Sequence, residues 1–263
     1  MKKLKGNPQT PSSTVRAFIL CGGLGSRLRP VLADRPKSMA LISGTPFLQL
    51  LMERLRSQGV DEVILGTGYM AEKIESYFGN GSQFGVHIRY SREYEPLGTG
   101  GALKLAEPLI SDPVVVLNGD SYVEWDLVPM LELLRAKEAA MVILLRSVGD
   151  LARYGSVALD RDGRVTQFVE KGACAGPGLI NAGVYLIGKQ IVHDLPAGVA
   201  ISLERDVVPR LLDRGVYGLV CTGLFIDIGI PDDFNRAQTL LGPRVGAARR
   251  NPSAPGFRDD ALA

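Results

Sequence analysis

The stretch Cys21-Gly22-Gly23-Leu24-Gly25-Ser26-Arg27-Leu28-Arg29-Pro30, followed by Pro36-Lys37, combines bare backbone with cations. Glycines let a chain turn sharply and bring backbone N–H groups close to an anion. Arg27 and Lys37 then sit where phosphates would lie, and Leu20, Gly22, Gly23, Gly25 and Ser26 are the candidates to line a nucleotide. The named glycine motifs fit badly. A Walker loop needs G-x-x-x-x-G-K-[S/T], and no lysine follows a glycine at that spacing. A dinucleotide fingerprint needs G-x-G-x-x-G, whereas Gly23-Leu24-Gly25-Ser26-Arg27-Leu28 ends on leucine and carries a cation where a helix should pack. A plain turn is the alternative, and Arg27 with Pro36-Lys37 counts against it.

Two carboxylates stand where burial is expected. Asp120 follows an apolar run and Asn118-Gly119, and Asp227 lies between Ile226 and Ile228. A desolvated carboxylate is costly unless it is paired or holds a metal. Two aspartates at strand ends could share Mg²⁺, which takes one or two carboxylates and completes its shell with water and phosphate. Asp120 reads equally as a turn residue, and Asp227 as an N-cap-like group or the partner of an arginine. Gly98-Thr99-Gly100-Gly101 is a second glycine turn opening a helix, with free N–H groups expected there for an anion or a base. His87 and His193 lack partners at ligand spacing, and Cys21 reads as a small buried residue rather than a nucleophile.

The elements that must position these groups alternate. Residues 15–20 read as a buried strand. Thr45-Pro46 gives an N-cap and first-turn proline for a helix that Gly59 ends. A strand at 62–65, a helix at 71–78 and a strand at 86–90 follow. That order predicts a Rossmann-like, doubly wound, mostly parallel mixed sheet. An apolar strand at 113–117, a helix from Asp126 to Lys137 and a strand at 141–145 continue it. Beyond 150 the texture becomes antiparallel: a hairpin of 154–159 and 164–170 around Asp162-Gly163, then a strand at 180–187. A helix at 203–212 capped by Ser202, a strand at 224–228 and a helix from Pro231 to about Leu241 close the fold. Residues 1–14 and 243–263 read as flexible tails around one domain, 15–242.

The 263 residues, 46% hydrophobic and 22% charged, suit an ordinary globular protein, and a formal net charge of +2 argues against nucleic acid as a partner. No run approaches a membrane span, and three scattered cysteines imply neither a disulfide framework nor a zinc site. The basic start is not followed by an apolar core of signal-peptide length, so the cytoplasm is the expected location.

The glycine loop resembles the signature of the sugar-1-phosphate nucleotidylyltransferases, roughly G-G-x-G-[S/T]-R-L-x-P followed by P-K. Cys21 stands where those proteins more often carry alanine. The resemblance spans roughly Arg16 to Gln238. Within the family it is closest to the D-glycero-α-D-manno-heptose-1-phosphate guanylyltransferases, on Glu95-Pro96-Leu97-Gly98-Thr99-Gly100-Gly101, Arg153-Tyr154-Gly155, Ile180-Asn181-Ala182-Gly183-Val184-Tyr185 and, most distinctively, Ser202-Leu203-Glu204-Arg205-Asp206.

The resemblance implies a glycosyltransferase-A-like nucleotidyltransferase fold, its 15–150 half binding nucleotide and a smaller antiparallel portion, 151–242, binding sugar. It implies Arg27 and Lys37 as catalytic cations, Asp120 and Asp227-Ile228-Gly229 as the Mg²⁺ site, and Gly22, Gly23, Gly98 and Thr99 against the nucleoside. Glu170 would hold a sugar hydroxyl and Lys171 the sugar phosphate, although by residue type alone the pair reads equally as a solvated ion pair. Gly119, Tyr154, Gly155, Asn181 and Gly183 match positions lining the sugar pocket; without the resemblance Asn181 is a turn residue. The implied partners are a nucleoside triphosphate and a sugar 1-phosphate, with GTP and a manno-configured heptose 1-phosphate as the expected pair. Mannose-1-phosphate guanylyl, uridylyl or thymidylyl transfer are the alternatives. A regulatory subunit that binds a sugar nucleotide and a nicotinamide-dependent oxidoreductase are the readings from other classes. The sequence is compatible with a homo-oligomer.

Overall fold

The computed structural model describes residues 15–25, 27–28, 32, 34–169 and 175–249. Ser26, Glu170 and Lys171 lie outside them, as do residues 1–14 and 250–263.

Strand β1 (Arg16–Leu20) runs into the glycine loop. A 3-10 turn at Lys37–Met39 and two short strands, β2 (Leu41–Ile42) and β3 (Thr45–Pro46), lead to helix α1 (Phe47–Ser57). Then come β4 (Glu62–Thr67), α2 (Ala71–Phe78), β5 (His87–Arg92), α3 (Gly98–Leu105) and β6 (Val114–Asn118). The second half holds β7 (Ser121–Val123), α4 (Leu127–Ala136), β8 (Met141–Val148), β9 (Ser156–Leu159), β10 (Val165–Val169) and β11 (Gly178–Ile187). It ends with α5 (Lys189–His193), α6 (Val208–Leu211), β12 (Val216–Cys221), β13 (Phe225–Asp227) and α7 (Pro231–Arg249).

β1 lies between β4 and β6, parallel to both, and β5 extends the parallel side beyond β4. The chain therefore winds outward from β1 through β4 and β5, then returns to the other side of β1. Such a reversal opens a crevice at the carboxyl ends of the two central strands. Beyond β6 the sheet turns antiparallel through β11, which pairs β6 on one edge and β8 on the other. β12 runs parallel to β8, and the β9–β10 hairpin attaches to the start of β11 at Leu179↔Val157. The doubly wound, mixed architecture expected from the sequence is the one observed.

Alternation along the strands divides the core. Ala17 and Ile19 face one apolar layer with α1, α2, α4 and α7, while Phe18 faces another with α3, α5 and α6. This is the period of two that a strand covered by helices on both faces demands.

Two local expectations are corrected. Thr45-Pro46 forms β3 against Leu41–Ile42 instead of capping α1, which begins at Phe47. The expected late strand is observed as β13, paired among the described residues with β7 in a separate two-stranded ribbon. The last helix does not stop near Leu241 but continues to Arg249 with Pro243 inside it, and Val245 is buried there. Apolar burial on the inner face holds this last turn, where composition alone suggests a tail. Val245→Asp should therefore lower stability by about 2–3 kcal/mol, whereas Leu240→Asp, on the exposed side of the same helix, should leave it nearly unchanged. Thermal unfolding of both variants checks this.

Candidate active site

The crevice at the ends of β1 and β6 is built by backbone contact. The Gly119 N–H donates to the Leu20 carbonyl at 3.0 Å, and a Cβ on Gly119 would collide with that oxygen. Only glycine lets the loop after β6 pass the loop after β1. Cys21 is tied across to β4 by its N–H to the Gly66 carbonyl at 2.8 Å. Burial pushes its thiol far above the ordinary range, so it is no nucleophile under ordinary conditions. Gly22 packs closely on the Glu93 side chain, whose carboxylate would have to move to admit a Cβ there.

The charges meet at this crevice. Lys37, in the 3-10 turn, donates from Nζ to Asp120 Oδ2 at 2.6 Å and stands 3.8 Å from Asp227 Oδ1. The two carboxylate oxygens are thus no farther apart than the sum of those distances. The backbone explains why. Asp227 sits opposite Ser121 in the β7–β13 ribbon, and the Ile228 N–H donates to the Asp120 carbonyl at 2.9 Å. The Lys37 side chain is 15% exposed, Asp120 38% and Asp227 25%. A lysine ammonium thus faces Asp227, where the sequence offers an arginine as its possible charge partner.

The residues around this triad form one continuous cleft. A cavity of about 390 Å³ is lined by the glycine loop, Glu93, Gly98, Thr99 and Gly119. A second, of about 190 Å³, is lined by Tyr154, Gly155, Asn181, Glu204, Phe225 and Asp227. Arg27, Lys37, Asn118, Asp120 and Gly229 line both, so the charged groups stand at the junction.

Most of the residues singled out from the sequence come together here. Leu20, Gly22, Gly23, Gly25, Arg27, Lys37, Gly98, Thr99, Gly119 and Asp120 line the first cavity. Tyr154, Gly155, Asn181 and Asp227 line the second. Gly183 is buried behind the wall instead; its φ of +77° and its closeness to the Asn118 amide both require glycine. The register of β11 against β8 shifts between Asn181 and Tyr185. A bulge of this kind re-aims a side chain, and here it leaves Asn181 on the cavity wall.

The second glycine turn differs from expectation. The Gly100 and Gly101 N–H groups donate to the Ile201 carbonyl at 2.9 and 3.4 Å, so they are not free for a ligand. The sequence also assigns no site role to Glu93, Asn118, Phe225 or Glu204, all of which line the cleft. Glu93 carries no local signal; its half-buried carboxyl is pushed up by desolvation and partly relieved by the Leu97 N–H. Phe225 meets Tyr154 edge-on at 6.4 Å, a tertiary contact no local pattern reveals.

The donor set fits a hard divalent cation. Among the described residues no group of three or more His, Cys, Asp or Glu side chains forms a metal centre. A cation here would rest on two carboxylates and complete its shell with water or phosphate.

A doubly wound sheet with a charged cleft at its switch point defines a nucleotide-handling enzyme, and the chain belongs to the nucleotidyl transferase family, whose model matches residues 16–242. It is 44% identical over 229 residues to the D-glycero-alpha-D-manno-heptose 1-phosphate guanylyltransferase of Aneurinibacillus thermoaerophilus, covering 86% of this chain and 98% of that protein. It is 38% identical over 252 residues to the mannose-1-phosphate guanylyltransferase of Mycobacterium tuberculosis, covering 94% of this chain and 69% of that one. Among solved structures, HddC from Yersinia pseudotuberculosis complexed with GMP-PN aligns with a TM-score of 0.76 at 40% identity, over 86% of this chain and 98% of that one. No helix among the described residues is long and apolar enough to cross a membrane.

Lys37→Met should lower the stability of the metal-free protein by about 1–2 kcal/mol, because two partly buried carboxylates then lose the ammonium that stands between them. Adding a divalent cation without nucleotide should restore the loss, read as the melting temperature in EDTA and in excess metal. Absence of that recovery would remove Asp120 and Asp227 from consideration as a metal site.

Proposed function

We propose that this chain is a sugar-1-phosphate guanylyltransferase that joins GTP and D-glycero-α-D-manno-heptose 1-phosphate, giving GDP-heptose and pyrophosphate. The observation that carries this reading is the junction of the cleft, where Arg27, Lys37, Asp120 and Asp227 converge between a glycine-walled half and a polar half. The identity to heptose 1-phosphate guanylyltransferases over almost their whole length supports the choice of base and sugar.

In this reading the nucleotide lies along the glycine loop and the Gly98-Thr99 turn, and the sugar phosphate enters past Tyr154, Gly155 and Asn181. A phosphate oxygen of the sugar attacks the α-phosphorus of GTP in line. One P–O bond forms as the bond to pyrophosphate breaks, with no covalent intermediate on the protein. Such a transfer asks the protein for positioning and charge neutralisation. Arg27 takes up charge on the departing pyrophosphate, and Lys37 steadies the α-phosphate at the junction. Asn181 offers both a donor and an acceptor to sugar hydroxyls. The family resemblance adds Lys171 for the attacking phosphate and Glu170 for a hydroxyl.

Enzymes of this family typically use a divalent metal. We assign Mg²⁺, held by Asp120 and Asp227, where it would supply positive charge to the phosphates. Gly119 and Gly183 act by leaving room for backbone and for Asn118. A cytoplasmic location and a homo-oligomeric state are compatible with this reading.

A matrix of nucleoside triphosphates against sugar 1-phosphates, followed by pyrophosphate release, tests the proposal. GTP with the manno-configured heptose 1-phosphate should give the highest kcat/KM, with mannose 1-phosphate weaker. Preference for UTP, dTTP or CTP, or for glucose 1-phosphate, would overturn the assignment of base and sugar. Absence of pyrophosphate with every pair would point to a regulatory sugar-nucleotide binder. Arg27→Ala and Lys37→Ala should each reduce turnover by about two to three orders of magnitude, the usual loss for one preorganised charge-stabilising group. Near-wild-type rates with lowered melting temperatures would make both cations structural.

A further inference from the structure

The Ser202-Leu203-Glu204-Arg205-Asp206 stretch has no part in the reaction above, yet it stands between the two halves of the cleft. Leu203–Val207 forms a π-helix. Its start is closed from both sides: the Ser202 hydroxyl accepts the Arg205 N–H at 3.2 Å, and Asp206 Oδ2 accepts the Ser202 N–H at 2.7 Å. A π turn is rare and concentrates at functional sites. The side chain this one presents to the cleft is Glu204.

A chain of hydrogen bonds converges on Glu204. Its Oε2 accepts the Thr99 hydroxyl at 2.8 Å and the Ser202 hydroxyl at 2.9 Å, and its Oε1 accepts the Tyr185 hydroxyl at 2.9 Å. The Thr99 oxygen accepts the Leu203 N–H at 2.7 Å. The Tyr185 oxygen accepts from Asn181 Nδ2 at 2.6 Å, and Asn181 Oδ1 accepts the Gly183 N–H at 2.9 Å. The chain of donors fixes which way the Asn181 amide points. Tyr185 is fully buried, and burial together with the Glu204 carboxylate pushes its phenol well up, so it remains a neutral donor.

We propose that Glu204 is a positioning residue for the transfer reaction: one carboxylate holds Thr99 on the nucleotide side and, through Tyr185, the Asn181 amide on the sugar side. The inference rests on the assignment of the two cleft halves made above. It adds that the halves are set by a single group, so that one substitution disturbs both.

Glu204→Gln keeps the size of the side chain but sets an amide NH₂ where hydroxyls now donate. With GTP and the heptose 1-phosphate both varied, this variant should raise both KM values about fivefold or more, while kcat at saturation stays within about threefold. Tyr185→Phe should raise only the sugar-phosphate KM, and Thr99→Val only that for GTP. Combining Glu204→Gln with Tyr185→Phe should raise the sugar-phosphate KM no further than Glu204→Gln alone.

Both KM values within about twofold of wild type in folded Glu204→Gln, while the outer variants act, would overturn this proposal alone. So would a rise confined to the sugar phosphate and additive with Tyr185→Phe, which describes direct contact with the sugar. If neither outer variant alters either KM, the assignment of the halves fails and the proposal with it. Should Glu204→Gln not fold, a cycle of Thr99→Val and Tyr185→Phe decides: non-additive effects support coupling through Glu204, and additive ones overturn it.

Discussion

A lysine ammonium set between two aspartates at the carboxyl edge of the sheet is the interaction on which the cleft depends. Asp120 and Asp227 come from distant parts of the chain, and each alone would resist the partial burial imposed on it. Lys37 makes their approach tolerable, at 2.6 and 3.8 Å from the two carboxylates. Neutralisation also ties three segments together: the turn after the glycine loop, the turn after β6 and the end of β13. The geometry that suits phosphate and metal chemistry is thus held by charge balance as well as by backbone pairing.

The second constraint is steric. Neighbouring parallel strands must end in loops that do not collide, and the Leu20 carbonyl leaves no room for a side chain at position 119. The loop after β6 can then hug the loop after β1, and Asp120 follows directly into the junction. A Cβ at position 119 would press on the Leu20 carbonyl, and on the buried Cys21 sulfur at 3.3 Å.

Much of this was legible in the sequence. Strand and helix periods in residues 15–145 gave the doubly wound order because those segments bury apolar faces that repeat faithfully. Gly22, Gly23, Arg27 and Lys37 were readable as a candidate phosphate loop because glycines and cations cluster within a short span, and Asp120 as a candidate metal ligand because it ends an apolar run. Other features were set by contacts remote in sequence. Nothing near Glu93 announces that it will pack on Gly22, and nothing near Ile201 announces that its carbonyl will take the Gly100 N–H. Thr45 carried the residue type of a helix cap, but pairing with Ile42 overrode it. The extension of α7 to Arg249 follows from burial of Val245, which a segment rich in Arg, Ala and Pro does not advertise.

The register shift in β11 divides one strand into two regimes. Residues 184–187 pair with β6, and 185–187 with β8 as well, while 178–181 pair with β8 on one edge and meet β9 at Leu179 on the other. An insertion, deletion or bulky replacement before the shift would therefore be absorbed there, without propagating a change of face into the core. Ile180 and Asn181, on the near side of that boundary, line the cavity, while residues 184–187 on the far side are buried in the two apolar layers. The bulge acts as a seam between the part of the strand that faces the cleft and the part that belongs to the core.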